Sequence, residues 1–288
     1  VRGTVHRTGD SYDFERNILP LSTRHSSEAA VVCYALPFLR AIDYPHGMSV
    51  EEGLKHHLEQ MDKCHKKSDF KSLPVVVAAH FYAVGAYVNE VEHSERLVGG
   101  QDAVSVGNMA KRYAYTALGH IHKAQAVNDL DTVRYAGSPI PLSFSERDYQ
   151  RSVTLLNIDE GGNTEVSTLD YTPLCVLLTL PKYGYASPEK LLSLLSELPE
   201  DDGTQPRETW PFLELRVEIS QPEPELRAQI VQQLSNKAVR FCRVATNLAH
   251  SGERKAEDLP SLANNLEQIS PLDLALRHYQ ERFDNEMP

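Results

Sequence analysis

Three short apolar runs constrain this chain more than any other feature. Glu28 to Leu36, closed by Pro37, reads as a buried strand, and Pro74 to Ala79 reads as a second, too short and too β-branched for a helix. Tyr113 to Leu118 reads as a third, ending at Gly119. Strands that are apolar throughout need cover on both faces, which points to an α/β arrangement. Ser49, with Glu52 three residues on, reads as a capping box. Leu54, Leu58 and Met61 then follow at helical spacing, and the helix runs into the basic cluster Lys63 to Lys67, which suits the negative end of a helix dipole. Further strands are expected at Thr132–Ala136 and at Ser152–Asp159, the latter turning at Gly161-Gly162.

After Tyr171-Thr172-Pro173 the pattern restarts. A strand over Leu174–Leu180, a helix over Pro188–Leu198, a strand over Phe212–Ile219, a helix over Pro224–Asn236 and a strand over Val239–Thr246 make a small β-α-β-α-β unit. A charged linker, His250 to Asp258, leads to a tail in which Leu272, Leu274, Leu276, Tyr279 and Phe283 keep helical register. No run approaches the roughly 20 apolar residues that cross a bilayer. Val1-Arg2-Gly3-Thr4 has no apolar run behind its charge, so it does not read as a secretory signal. With no initiator Met, and with a polar segment lacking any period as far as Ser27, the beginning reads as a cut inside a longer protein, although a removed leader would look the same. The cysteines Cys33, Cys64, Cys175 and Cys242 form no Cys-x-x-Cys pair, so reduced thiols in the cytoplasm are expected. The formal net charge of -11 argues against a simple nucleic-acid binder, although a bound cation could meet a phosphate locally.

The chemistry concentrates in Gly119-His120-Ile121-His122, directly after a buried strand. Histidines at i and i+2 on a strand end can project to one side, with Gly119 expected to let the backbone turn. His80 also follows a buried strand, and ligands of α/β sheets collect beyond the carboxyl ends of strands.

The wording around these histidines resembles a known family. It comprises Tyr34-Ala35-Leu36-Pro37-Phe38-Leu39-Arg40, His80 with Gly85-Ala86, and Val98-Gly99-Gly100-Gln101-Asp102-Ala103-Val104. It continues through Ala117-Leu118-Gly119-His120-Ile121-His122-Lys123-Ala124-Gln125 and Tyr135-Ala136-Gly137-Ser138-Pro139-Ile140-Pro141-Leu142-Ser143-Phe144. Together these blocks resemble the SbcD family of bacterial DNA nuclease subunits, calcineurin-like metallophosphoesterases that pair with the SbcC ATPase. The resemblance implies that His80 and His120 ligate one ion and His122 another, the ions being manganese or magnesium. Such ions polarise a scissile phosphate and generate hydroxide from bound water. It also implies exonuclease and endonuclease action on double-stranded DNA ends and hairpins in DNA repair, recombination and replication, within a homodimeric complex with the ATPase.

One departure is large. The family's Asp-x-His, Gly-Asp and Gly-Asn-His-Asp blocks, which supply the carboxylates and the acid/base His, have no counterpart here. Gly9-Asp10 lacks a preceding strand, and three imidazoles alone are a poor home for hard ions. The resemblance therefore implies that residues 1–171 are the C-terminal part of a phosphoesterase core, the sheet in Val31–Asp159 being half of a two-sheet sandwich with an apolar face left open. Residues 172–249 would then be a capping domain that contacts DNA, and 250–288 a linker and partner-binding helix. The chain alone is expected to be inactive. Arg227, Lys237, Arg240 and Arg243 are candidate DNA contacts or a solvated face, and Leu276, Tyr279 and Phe283 are candidate contacts to the ATPase. His56-His57 and Cys64-His65 lack the second pair that zinc needs, and Ser138, Ser143 and Ser145 lack the partners of a nucleophile. A phosphoesterase acting on small substrates is disfavoured by the capping domain. The alternative reading is a non-catalytic subunit that keeps the fold and binds an ATPase or DNA.

Overall fold

The computed structural model describes residues 5–8, 11–23, 26–87, 103–159, 161–220 and 223–248. A two-residue hairpin, β1 (Arg7–Thr8) with β2 (Ser11–Tyr12), precedes a six-stranded mixed sheet. That sheet contains β3 (Ile18–Ser22), β4 (Ala29–Ala35), β5 (Val75–His80), β6 (Tyr115–Gly119), β7 (Gln125–Val127) and β8 (Leu130–Tyr135). Their order is β3-β4-β5-β6-β8-β7, with the middle four parallel and each edge strand antiparallel to its neighbour. The three apolar runs thus become β4, β5 and β6, side by side at the centre where both faces need cover.

The sequence reading missed β3. Pro20 lies within it, and a residue without an N–H is tolerated because β3 is an edge strand hydrogen-bonded on one side only. Just before this strand, buried Asn17 ties the edge to β4, its side-chain amide donating to the Ala35 carbonyl at 2.7 Å.

Helix α1 (Val50–Lys67) covers one face of the sheet. Its buried residues Leu54, His57, Leu58, Met61 and His65 recur at the spacing of one helical face. The apolar ones pack with Val32, Tyr34, Val77, Leu118 and Tyr135 into one cluster. The N-terminus has the expected capping box: the Glu52 N–H donates to Ser49 Oγ at 3.2 Å, and the Ser49 N–H donates to Glu52 Oε2 at 2.8 Å. A short helix, α2 (Gly107–Arg112), leads into β6 and was not anticipated from the sequence.

The opposite face of the sheet carries Cys33, Val76, Ala78 and Ala117, which border a cavity of about 480 Å³. Thr154, Leu156 and Tyr171 line its far wall. These belong to an antiparallel hairpin, β9 (Arg151–Ile158) and β10 (Thr164–Tyr171). Val153, Leu155 and Leu169 on that hairpin are more than half exposed.

A second apolar cluster lies further along the chain. Strands β11 (Leu177–Leu180), β12 (Phe212–Ile219) and β13 (Arg240–Leu248) form a three-stranded parallel sheet in that order. Helices α3 (Pro188–Ser196) and α4 (Leu226–Gln233) supply the crossovers. Leu191, Leu195, Leu213, Leu215, Val217 and Ile230 are fully buried there. This is the β-α-β-α-β order expected from the sequence, with β11 starting later than its apolar pattern and α4 shorter at both ends. Among the described residues no helix is long and apolar enough to cross a membrane, and all four cysteines are free thiols.

The capping box offers a direct check on α1. Ser49→Ala removes one of two reciprocal hydrogen bonds and should cost about 1 kcal/mol in urea unfolding, whereas Ser49→Asp should cost only a few tenths. Equal losses for the two variants would mean that the cap does not hold this helix.

Candidate metal centre

Strands β5 and β6 run parallel with His80 paired opposite Gly119, so His80 and His120 emerge at neighbouring carboxyl ends. Their rings meet edge to face with centroids 5.3 Å apart. Gly119 does not act as expected. The left-handed backbone belongs to His120, at φ 115°, while Gly119 remains within the strand. What Gly119 provides is space, because a Cβ there would fall 2.8 Å from His80 Nδ1. A non-glycine residue at such a φ stores roughly 1–3 kcal/mol, and strain of this kind gathers at functional sites. The segment after His80 is fixed by buried Tyr135, whose hydroxyl donates to the Phe81 carbonyl and accepts from the Ala83 N–H, both at 2.8 Å.

Electrostatics favour neutral imidazoles at this point. Burial lowers the pKa of His80, and the nearby His122 lowers it further. His120 is lowered by burial and then by the nearby His80 and His122. A neutral imidazole is the form that ligates metal. Among the described residues no hydrogen bond engages the ring of His80 or His120.

His122 is anchored differently: its Nδ1–H donates to Glu146 Oε1 at 2.8 Å. Glu146 is 2% exposed and sits in a 3-10 turn, Phe144–Glu146, capped by Ser143. Its Oε2 accepts from the Leu142 N–H at 3.1 Å and lies 3.4 Å from both Ser138 Oγ and Arg151 Nη2. Burial alone would raise the Glu146 pKa, but the His122 and Leu142 hydrogen bonds and the charges of His122 and Arg151 hold it below the usual range. Arg151, 4% exposed, also donates to Ser138 Oγ at 2.6 Å and to the Glu146 carbonyl at 2.9 Å. The sequence reading missed Glu146 and Arg151. Their only local signal was Ser143 followed by an acid three residues later, a capping pattern with no apolar run behind it. Ser138 belongs to this network and Ser143 caps the turn.

Among the described residues no three His, Cys, Asp or Glu side chains are grouped to hold an ion. His80, His120 and His122 supply nitrogen donors on one side only, and hard divalent ions need oxygen ligands. These residues alone do not fit a complete two-ion centre. His57 is buried, with Nδ1 3.0 Å from the Gly53 carbonyl oxygen, and His65 Nε2 lies 2.8 Å from that of Phe70. Both therefore serve the α1 side of the core, and His56 packs edge-on to Phe14.

The four candidate cations do not share a solvated face. Lys237 is 8% exposed and donates to the carbonyls of Ser196 and Leu198 at 3.0 and 2.8 Å, which makes it an internal cap at the end of α3. Arg240 donates to the Trp210 carbonyl at 3.0 Å and stacks over Phe212. Arg227 on α4 and Arg243 are both exposed, the Arg243 side chain at 61% although its Nε donates to buried Glu214 at 2.7 Å. Leu276, Tyr279 and Phe283 lie outside the described residues.

Strain at His120 has a measurable sign. His120→Gly should be more stable than His120→Ala by about 1 kcal/mol in urea unfolding, because both remove the ring but only glycine relieves φ 115°. A glycine variant no more stable than the alanine variant would remove the argument for strain.

The chain is similar to known proteins over most of its length. A family model described as the type 5 capsule protein repressor C-terminal domain, SbcD_C, matches residues 176–283. The chain is 32% identical over 241 residues to the D subunit of nuclease SbcCD from Rhodobacter capsulatus, covering 80% of this chain and 57% of that protein. It is 33% identical over 172 residues to the protein of the same name from Escherichia coli K12, covering 54% and 42%. For the Bacillus subtilis protein of that name the figures are 37% over 99 residues, 34% and 25%. The chain spans about half the length of the curated relatives it matches, or less. Its strand-end histidines and its C-terminal three-stranded unit thus belong to a chain that is SbcD-like.

Proposed function

We propose that this chain contributes one side of the metal centre, and the C-terminal portion, of an SbcD-like DNA nuclease subunit. The observation that carries this reading is the pairing of His80 with Gly119, which sets His80 and His120 ring to ring at adjacent strand ends. The similarity to proteins named as SbcCD nuclease subunits gives that pairing its context. In this proposal His80 and His120 bind one manganese or magnesium ion and His122 binds a second. Carboxylates that the described residues do not supply complete both coordination spheres. The β9–β10 hairpin and the open sheet face belong to a two-sheet phosphoesterase sandwich, and the three-stranded unit is its capping domain. The substrate is double-stranded DNA at ends or hairpins, the setting is DNA repair in the cytoplasm, and the partner is an SbcC-like ATPase within a homodimeric complex. Of the four cations first considered for DNA contact, Arg227 and Arg243 retain that role on exposure, whereas Lys237 and Arg240 are engaged internally.

The reading separates two assays. The chain by itself should not cleave a DNA hairpin with manganese, because its described residues group no oxygen ligands with the histidines. Cleavage that His122→Ala abolishes would show that ligands are present which this reading omits. A chain extended at its N-terminus to carry the Asp-x-His and Gly-Asn-His-Asp blocks should cleave, and His80→Ala or His120→Ala should lower the rate by more than about 100-fold, since even outer-shell changes cost 10–100-fold. An extended chain that binds an SbcC-like ATPase but never cleaves would favour a non-catalytic interaction subunit instead.

A further inference from the structure

The turn that carries Glu146 touches two units of the molecule at once. Glu146 holds His122 Nδ1 at 2.8 Å. Residues beside it in the turn reach the three-stranded unit. Arg147 Nη2 donates to the Lys182 carbonyl, just past β11, at 2.7 Å, and its guanidinium lies 5.9 Å from the Tyr183 ring. Phe144 lies under the Arg243 guanidinium at 5.5 Å. The Arg243 side chain is 61% exposed but tethered, because Glu214, 1% exposed, accepts from its Nε at 2.7 Å. Glu214 in turn accepts from Arg216 Nε at 2.9 Å. The strut from β12 and β13 to Phe144 is therefore anchored in the core of the three-stranded unit.

From this placement we infer that the turn Ser143–Arg147 couples the seating of the three-stranded unit to the His122 imidazole, with Glu146 as the positioning residue. A short 3-10 turn has few internal degrees of freedom, so a shift at Phe144 and Arg147 moves the residues between them. The carboxylate fixes which ring nitrogen of His122 carries the proton and how the ring is oriented, as partners of ligating histidines commonly do. Loss of the Phe144 and Arg147 contacts lets Glu146 withdraw and the ring turn. This inference rests on the reading that His122 belongs to the functional site, but its test uses neither metal nor catalysis.

The test is nuclear magnetic resonance of the chain labelled with 15N-histidine. The His122 Nδ1–H proton should resonate far downfield, as expected for a hydrogen bond to a carboxylate. In Glu146→Gln it should move upfield and exchange with water about tenfold faster or more. Phe144→Ala and Arg243→Ala, which leave both Glu146 and His122 in place, should shift the same resonance in the same direction. His57 and His65, bonded near the Gly53 and Phe70 carbonyls, provide internal controls for an intact fold. Should their signals move in Arg243→Ala, the milder Arg243→Lys, which keeps the charge near Glu214, replaces it. An unchanged His122 signal in Glu146→Gln overturns the positioning role. A signal that moves in Glu146→Gln but stays fixed in both Phe144→Ala and the Arg243 variant overturns the coupling. Failure of the extended chain to cleave DNA would instead count against the nuclease reading and leave these shifts as they are.

Discussion

Parallel pairing of β5 with β6 puts His80 opposite Gly119, and the distinctive features of the histidine cluster depend on that register. A slip by one residue would turn His80 to the other face of the sheet, because successive side chains alternate. With the register fixed, the space beside His80 must be empty, which only glycine allows at 119. The chain must then bring His120 back toward His80 within a single residue, and it does so through an unfavourable φ of 115° at His120 itself. Packing of Val77 and Leu118 against α1 holds the register on the buried face. The strain is thus borne by a core assembled from the most apolar strands in the chain.

Much of this was legible in the sequence, and what was not shares a physical cause. The three apolar runs and the Ser49–Glu52 capping box are local patterns, and each forms the element expected of it. His80 and His120 could be placed together because strand ends converge in α/β sheets. The role of Gly119 was misread because the sequence shows a glycine before a histidine, not which imidazole lies across the strand. Glu146 and Arg151 were missed because their partners are remote: His122 is 24 residues from Glu146 and 29 from Arg151. Edge strand β3 was hidden by Pro20, a signal against central strands that carries little weight at an edge. The cations of the second unit were read as DNA contacts or a solvated face, and the burial of Lys237 was not legible because it depends on the distant carbonyls of Ser196 and Leu198.

The Glu146–Arg151 pair also explains why the Gly137–Phe144 block is so particular. A buried ion pair gains little by itself, since desolvation offsets attraction, and breaking it by removing one partner is costly. Such a pair persists where each remaining donor and acceptor is satisfied. Ser138 serves both partners through its hydroxyl and offers its carbonyl to Arg151 at 3.2 Å. The backbone N–H of Leu142 fills a further position on the carboxylate, and Ser143 closes the turn that aims it. Gly137 sits at φ 77° with an added Cβ only 2.9 Å from the His122 carbonyl oxygen, so the loop must run close beneath that histidine. Ser138 and Ser143 are therefore parts of a housing built around one carboxylate, and that carboxylate faces a histidine of the candidate site. The hydrogen bonds and the Arg151 charge around Glu146 oppose the cost of burying it, and the same carboxylate fixes the His122 imidazole.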